Sequence, residues 1–247
     1  MCRSVFFNLM FPILFQKGSV TLYFYGVMIA IAFLLVLFLA RRRATSFGFR
    51  PEFISDFCFY VLLAGIAGAR LFYVLEHYSY YQEHLLEIPM LFKGGLVFYG
   101  GLITALLTSV VLLKKHEYDW RIFADFFIPY LPLGHALGRV GCFMNGCCYG
   151  VTTLWGMHPV QLYEAILNLA ICMFLLFLRH RKLKPKGALL PIYMLMYGIG
   201  RFVLEFFRGD TVLLWGPLRV SQGVSALFII VALVLYSFLK HHEKKKS

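Results

Sequence analysis

Ala188–Phe207 reads ALLPIYMLMYGIGRFVLEFF, an apolar run that contains Arg201 and Glu205. It has the length of about 20 residues that a membrane-crossing helix requires. On an α-helix the four-residue spacing sets Tyr197, Arg201 and Glu205 on one stripe. A charge at membrane depth costs from about 3 to more than 10 kcal/mol, so it persists only where it is paired or meets something polar. The stretch therefore predicts both a spanning helix and a polar site inside the bilayer.

Outward from it, the rest of the chain repeats the apolar pattern. We expect an all-α, polytopic membrane protein with about seven spans: Val20–Ala40, Phe53–Leu75, Gly95–Leu113, Ile122–Leu137, His158–Leu178, Ala188–Phe207 and Val220–Leu239. The 247 residues are 60% hydrophobic and 18% aromatic, with a mean hydropathy of +0.74, more apolar surface than a soluble core of this size uses. Basic residues collect on the cytoplasmic side of short loops. Arg41, Arg42, Arg43 and Arg50, then Lys114, Lys115 and Arg121, then Arg179, Arg181, Lys182, Lys184 and Lys186, and finally Lys240 and Lys244–Lys246 fall on one side if the N-terminus is outside and the C-terminus is cytoplasmic. The net charge of +12 is scattered over these loops, which excludes a nucleic-acid patch and points to anionic headgroups of a lipid bilayer.

No linker, repeat or low-complexity tract divides the chain, so residues 1–247 are read as one membrane domain. Residues 1–19 form an outer interfacial segment, 76–93 an outer arm rich in tyrosine, and 240–247 a basic cytoplasmic tail. Met1–Phe15 lacks a basic start and a small-residue cleavage site, and is not read as a cleaved signal.

Two outer segments are rich in glycine: Gly94-Gly95-Leu-Val-Phe-Tyr99-Gly100-Gly101-Leu102 and Gly138-Arg139-Val-Gly-Cys142-Phe-Met-Asn145-Gly146-Cys147-Cys148-Tyr-Gly150. Glycine frees a backbone to approach a neighbouring helix or a ligand's polar head. The second segment is followed by His158-Pro-Val-Gln161-Leu-Tyr163-Glu164. The order of these motifs, closed by Tyr197-Gly-x-x-Arg201-Phe-x-x-Glu205-Phe-Phe-Arg208, resembles the prolipoprotein diacylglyceryl transferase family. Tyr25-Gly26, Gly68-x-Arg70 and the Gly94 to Leu102 segment fit the same pattern. The resemblance runs from about Val20 to Leu239.

The resemblance implies an enzyme of the bacterial cytoplasmic (inner) membrane with its active site toward the outer side. It would move diacylglyceryl from phosphatidylglycerol to the thiol of the lipobox cysteine of pre-prolipoproteins, forming a thioether and releasing glycerol 1-phosphate. No cofactor and no metal are implied. Arg meets a phosphodiester with a rigid fork of donors and stays charged, and charge growing on a departing phosphate is what fixed cations stabilise. By the match, Arg139 and Arg201 take that role, with Tyr99 as a third catalytic candidate. Glu205 orients Arg201, and Tyr25, Asn145 and Tyr197 bond the headgroup. Gly26, Arg70, Gly100, Gly146, Gly150, His158, Gln161 and Glu164 complete the expected substrate contacts.

Two departures from the family pattern bear on chemistry. Tyr99 stands where many members carry a His, and a phenol, which ordinarily titrates at about 10, is a poor base at neutral pH. Cys142 and Cys147 stand where Asn and an acid are common, and Cys148 adjoins them. These thiols admit three readings: packing or a structural disulfide, a substrate-contacting or thiol-exchange role, and a metal site, which would need further ligands because the spacing matches no common zinc pattern. Two other functions stay open, a paralogue with another acceptor or a thiol-dependent reaction, and a non-catalytic phospholipid-binding or transport protein. Arg70 reads either as lining the polar cavity or as ion-paired to Glu164 or Asp125. His158 reads as a helix start or a phosphate contact, and His135 as a satisfied interhelical bond.

Overall fold

Apolar helices dominate the computed structural model, which describes residues 12–17, 20–91, 94–153, 156–181, 183–209, 213–215 and 218–245. Most of the expected N-terminal interfacial segment, residues 1–11, lies outside them, as do Lys93, Lys182 and Lys246. A hairpin of β1 (Ile13–Lys17) and β2 (Val20–Tyr23) precedes α1 (Phe24–Ala44). There follow α2 (Pro51–Glu76), the single turn α3 (Tyr78–Tyr81), α4 (Phe98–Lys115), α5 (Trp120–Phe127) and α6 (Leu131–Met144). Next come the two-residue strands β3 (Thr152–Thr153) and β4 (Gly156–Met157), then α7 (Val160–His180) and α8 (Leu189–Leu204). The last elements are β5 (Leu213–Trp215), β6 (Leu218–Arg219) and α9 (Val220–Lys244).

Among the described residues six helices are long and apolar enough to cross a membrane: α1, α2, α4, α7, α8 and α9. Their outer faces carry bare apolar side chains, such as Ile166 at 66% and Met173 at 68% exposure on α7, which suits lipid and not water. The fourth expected span, Ile122–Leu137, does not form one long helix. It is divided into α5, a 3-10 turn at Ile128–Tyr130, and α6, with Pro129 in the turn and Pro132 in the first turn of α6. Proline lacks the N–H that helix continuation needs and clashes with the preceding turn.

The chain forms two compact units, Arg41–Trp120 and the remainder. In the first, α2 and α4 pack along small residues. Cβ atoms added at Gly100 and Gly101 would lie 2.7 Å from Gly68 O and 2.8 Å from Gly65 O, and the Thr104 hydroxyl donates to Ala64 O across the seam (2.8 Å). Such close approach is how helices gain contact where no hydrophobic effect drives them together. At the far end the Phe53 ring packs at a tilt against His116 and Tyr118.

The second unit packs α6 on α7, α7 on α8 and α8 on α9. Its apolar centre is Ala124, Ile128, Ile171, Leu175 and Leu189. Gly134, Gly138 and Gly141 turn one face of α6 to Val36, Ile29, Met28 and Tyr25 of α1. The Asp125 carboxylate accepts from the N–H groups of Gly187 (2.6 Å) and Leu189 (3.0 Å), capping the start of α8. At the other end α8 tightens into a 3-10 turn, Glu205–Phe207. The Arg219 guanidinium donates to the carbonyl oxygens of Glu205 and Arg208 there, tying this turn to the start of α9.

Candidate active site

Three helices of the second unit each bring one polar stripe to a common point. On α6, His135 and Arg139 are one turn apart. On α7, Gln161, Glu164 and Asn168 follow the i, i+3, i+7 spacing of one face, and all are essentially unexposed. On α8, Tyr193, Tyr197 and Arg201 repeat every four residues.

Glu164 stands at the junction. Its Oε1 lies 3.0 Å from Arg139 Nη2 and 3.7 Å from His135 Nε2, and accepts the Tyr197 hydroxyl at 3.4 Å. Its Oε2 faces Arg201 Nη1 at 3.9 Å. Arg201 Nη2 in turn lies 2.9 Å from Glu205 Oε2, the i,i+4 pair expected from the sequence. The four charged side chains alternate in sign, Arg139, Glu164, Arg201, Glu205, and each carboxylate is at most 2% exposed. Alternation lets charges remain where desolvation is costly, since each has an opposite neighbour.

Not every donor is used. Arg139 Nε and Arg201 Nη1 are buried and make no hydrogen bond among the described residues. Both arginine side chains are slightly open, 16% and 13% exposed, where the glutamates are closed. The cluster thus holds its carboxylates inside and offers two fixed guanidinium groups, the donor arrangement that receives an oxyanion. Tyr193 stacks on Tyr197 and the His135 ring lies against Tyr197, walling one side.

Beyond Arg139, Cys142 lies in the last turn of α6, and the loop that follows the helix carries Cys147 and Cys148. Their sulfur atoms all lie within 4.8 Å of one another, and all three are half-buried free thiols. Gly146 has φ of +70° and Cys148 +61°, so the loop coils back on itself. Gln161 Nε2 donates to Cys147 O at 2.7 Å, which fixes the loop to α7. Asn145 is the C-cap of α6, its backbone N–H donating to Gly141 O at 3.0 Å. Gly150 sits in a tight seat, where a Cβ would come within 2.5 Å of Phe207 O, and pairs with Arg208 as an isolated bridge. His158 Nδ1 is 3.2 Å from the Tyr163 hydroxyl. Tyr25 packs at Gly141, while Gly26 has open space around it.

The sequence-derived candidates fall into separate groups. Arg139, Glu164, Tyr197, Arg201 and Glu205 meet directly, whereas Gln161, Asn145, Gly146 and Gly150 shape the cysteine loop. Arg70, Tyr99 and Gly100 belong to the unit Arg41–Trp120. There Arg70 donates to Ile88 O (2.8 Å), Glu87 O (2.8 Å), Gly94 O (2.7 Å) and Gly95 O (3.2 Å), so its guanidinium organises the arm after α2. Gly100 is a packing contact of α4 with Phe72 and Gly68, and Tyr99 is 58% exposed in the first turn of α4. His135 and Asn168 join the cluster without having been singled out as site residues. Their four-residue spacings from Arg139 and Glu164 were the signal. Arg219 had none, because the carbonyls it bonds belong to a different helix.

The sequence model of the prolipoprotein diacylglyceryl transferase family matches residues 12–238. Among similar curated proteins, the phosphatidylglycerol–prolipoprotein diacylglyceryl transferase of Bacillus velezensis is 33% identical, covering 92% of this chain and 91% of its own length. That of Geobacillus kaustophilus is 35% identical over 89% and 88%, and that of Fervidobacterium nodosum 34% identical over 92% and 84%.

Proposed function

Because the chain belongs to the prolipoprotein diacylglyceryl transferase family, we propose that it transfers diacylglyceryl from phosphatidylglycerol to the thiol of a lipobox cysteine in pre-prolipoproteins. The observation that carries this reading is the buried alternation of Arg139, Glu164, Arg201 and Glu205 with unused guanidinium donors on both arginines. In the reaction a sulfur–carbon bond forms at the glyceryl carbon as the carbon–oxygen bond to phosphate breaks. Glycerol 1-phosphate leaves, and the thiol proton passes to solvent or to that product. Negative charge concentrates on the departing phosphate, so two guanidinium groups fixed before the reaction stabilise the transition state more than the ground state. Glu164 and Glu205 hold those groups in place, and Tyr197 adds a hydroxyl beside them. Both arginines belong to one compact unit of the fold.

The membrane arrangement follows the same reading. The segment from α5 to α6 completes a seventh crossing, broken at its prolines, with the N-terminus outside and the basic C-terminus cytoplasmic, so that the reaction takes place at the outer side of the cytoplasmic membrane. The test is transfer from labelled phosphatidylglycerol to a synthetic lipobox peptide by the purified protein, beside the same peptide with Ser for Cys. Lipidation of the Cys peptide alone, with glycerol phosphate released, is the expected result. Absence of product from folded protein with bound lipid overturns it.

A further inference from the structure

The sequence spacing of Cys142, Cys147 and Cys148 matches no common zinc pattern, yet the fold draws their three sulfurs together to within 4.8 Å of one another. An ion held at about 2.3 Å from each of three thiolates would set those sulfurs about 4 Å apart, a change that side-chain rotation can supply. Backbone conformation gives a second, independent observation. Cys148 adopts φ of +61°, a left-handed conformation that favours glycine, and its neighbour Gly146 has φ of +70°. A cysteine held where glycine would sit without strain points to a use for its side chain.

Charge and anchorage agree with this. Arg139 stands one turn before Cys142 on α6, so its positive charge offsets the negative charge that three thiolates leave around a divalent ion. The loop cannot easily relax apart, because Gln161 holds Cys147 O and Gly150 is seated against Phe207, Val160 and His158. Oxygen-seeking ions such as magnesium or calcium do not fit, since the clustered ligands are sulfur.

We infer that Cys142, Cys147 and Cys148 form a binding site for one soft, thiophilic metal ion of the zinc class, held by three thiolates beside Arg139 and with one coordination position left for a ligand from outside the trio. Metal binding at the trio does not require the transfer reaction proposed above. Binding displaces the proton from each cysteine that still carries one and releases it to solvent; no oxidant or reductant is consumed.

The full-length protein, reduced, freed of metal and checked for free thiols, is titrated with Cd(II) while the thiolate-to-metal charge-transfer absorption is followed, and Zn(II) is then used to compete. The expected result is saturation at one ion per chain, reversal by zinc, and proton release on binding. The triple variant Cys142→Ser/Cys147→Ser/Cys148→Ser is expected to lose the absorption, while Cys58→Ser/Cys172→Ser keeps it. Should the triple variant fail to fold, as judged by thermal unfolding, the single variants Cys147→Ser and Cys148→Ser each weaken binding at least tenfold. A reduced wild-type protein without a saturable band overturns the inference. So does a band that survives loss of the trio, or a disulfide within the trio that closes before metal is added.

Discussion

Glu164 Oε1 and Arg139 Nη2 lie 3.0 Å apart, although the two residues stand on different helices and are separated by the whole cysteine loop. The pair ties α6 to α7, and because Glu164 Oε2 also faces Arg201, it sets the distance between the two arginines. A carboxylate in this position has a structural and an electrostatic task at once. Without it, two buried guanidinium groups would face each other with no carboxylate between them.

Replacement of Glu164 by Gln separates those tasks, since the amide keeps the shape and one acceptor but removes the charge. Breaking a buried pair by removing one partner costs about 3–5 kcal/mol. We expect Glu164→Gln to lower the unfolding temperature in detergent and to reduce lipid transfer at least tenfold. Glu164→Gln with wild-type stability and turnover would mean that the arginines are held apart by packing alone.

Arg139→Ala and Arg201→Ala are expected to abolish measurable transfer while leaving insertion into the membrane intact. Removal of a fixed donor from a developing oxyanion costs on the order of 10²–10³ in rate. Lysine is not an adequate substitute at position 201, because a single ammonium cannot meet Glu205 at 2.9 Å and Glu164 on its far side together. Turnover by Arg201→Lys close to wild type would count against the forked geometry.

Gly101 packs on the α2 backbone, where an added Cβ would come 2.8 Å from Gly65 O and 3.3 Å from the Ala69 Cβ. Backbone must shift to admit it, and overpacking of this kind costs about 1–3 kcal/mol. Gly101→Leu is therefore expected to lower thermal stability of the lipid-free protein. An unchanged melting temperature with lost lipid binding would instead place this glycine against substrate.

What the sequence made legible was whatever lies on a single helix. Tyr197, Arg201 and Glu205 could be read as one stripe because four-residue spacing fixes their direction, and the Arg201–Glu205 pair is present in the fold. The partner of Arg139 was not legible, since spacing says nothing about which face of α6 meets which face of α7. The same limit applied to Arg70, whose donors reach backbone carbonyls that carry no side-chain signature. In the fourth span, Pro129 and Pro132 were visible, but a hydropathy pattern sums over residues and passes across the breaks that prolines impose. The thiol cluster required a left-handed turn at Cys148, which no property of cysteine announces.

Thiol reactivity supplies a prediction with a pH axis. The Cys142 hydrogen bond pushes the Cys148 thiol down to about 5, against the opposing effect of burial, with Cys147, Arg139 and Arg208 adding to the lowering. Burial pushes Cys147 the other way, above the usual thiol range. Alkylation follows the thiolate, and an ordinary cysteine becomes reactive as pH rises through about 8.5. In the metal-free protein, iodoacetamide should therefore modify Cys148 at a rate that is already level at neutral pH and declines only as pH falls toward about 5. Cys147 should gain reactivity only in alkali. Peptide mapping by mass spectrometry distinguishes the two sites. Replacing Cys142 by Ala removes the largest lowering influence, so the Cys148 profile in that variant should move up toward the ordinary thiol range. A Cys148 profile that stays level at neutral pH after Cys142→Ala would assign the lowering to Cys147 and the arginines instead of Cys142.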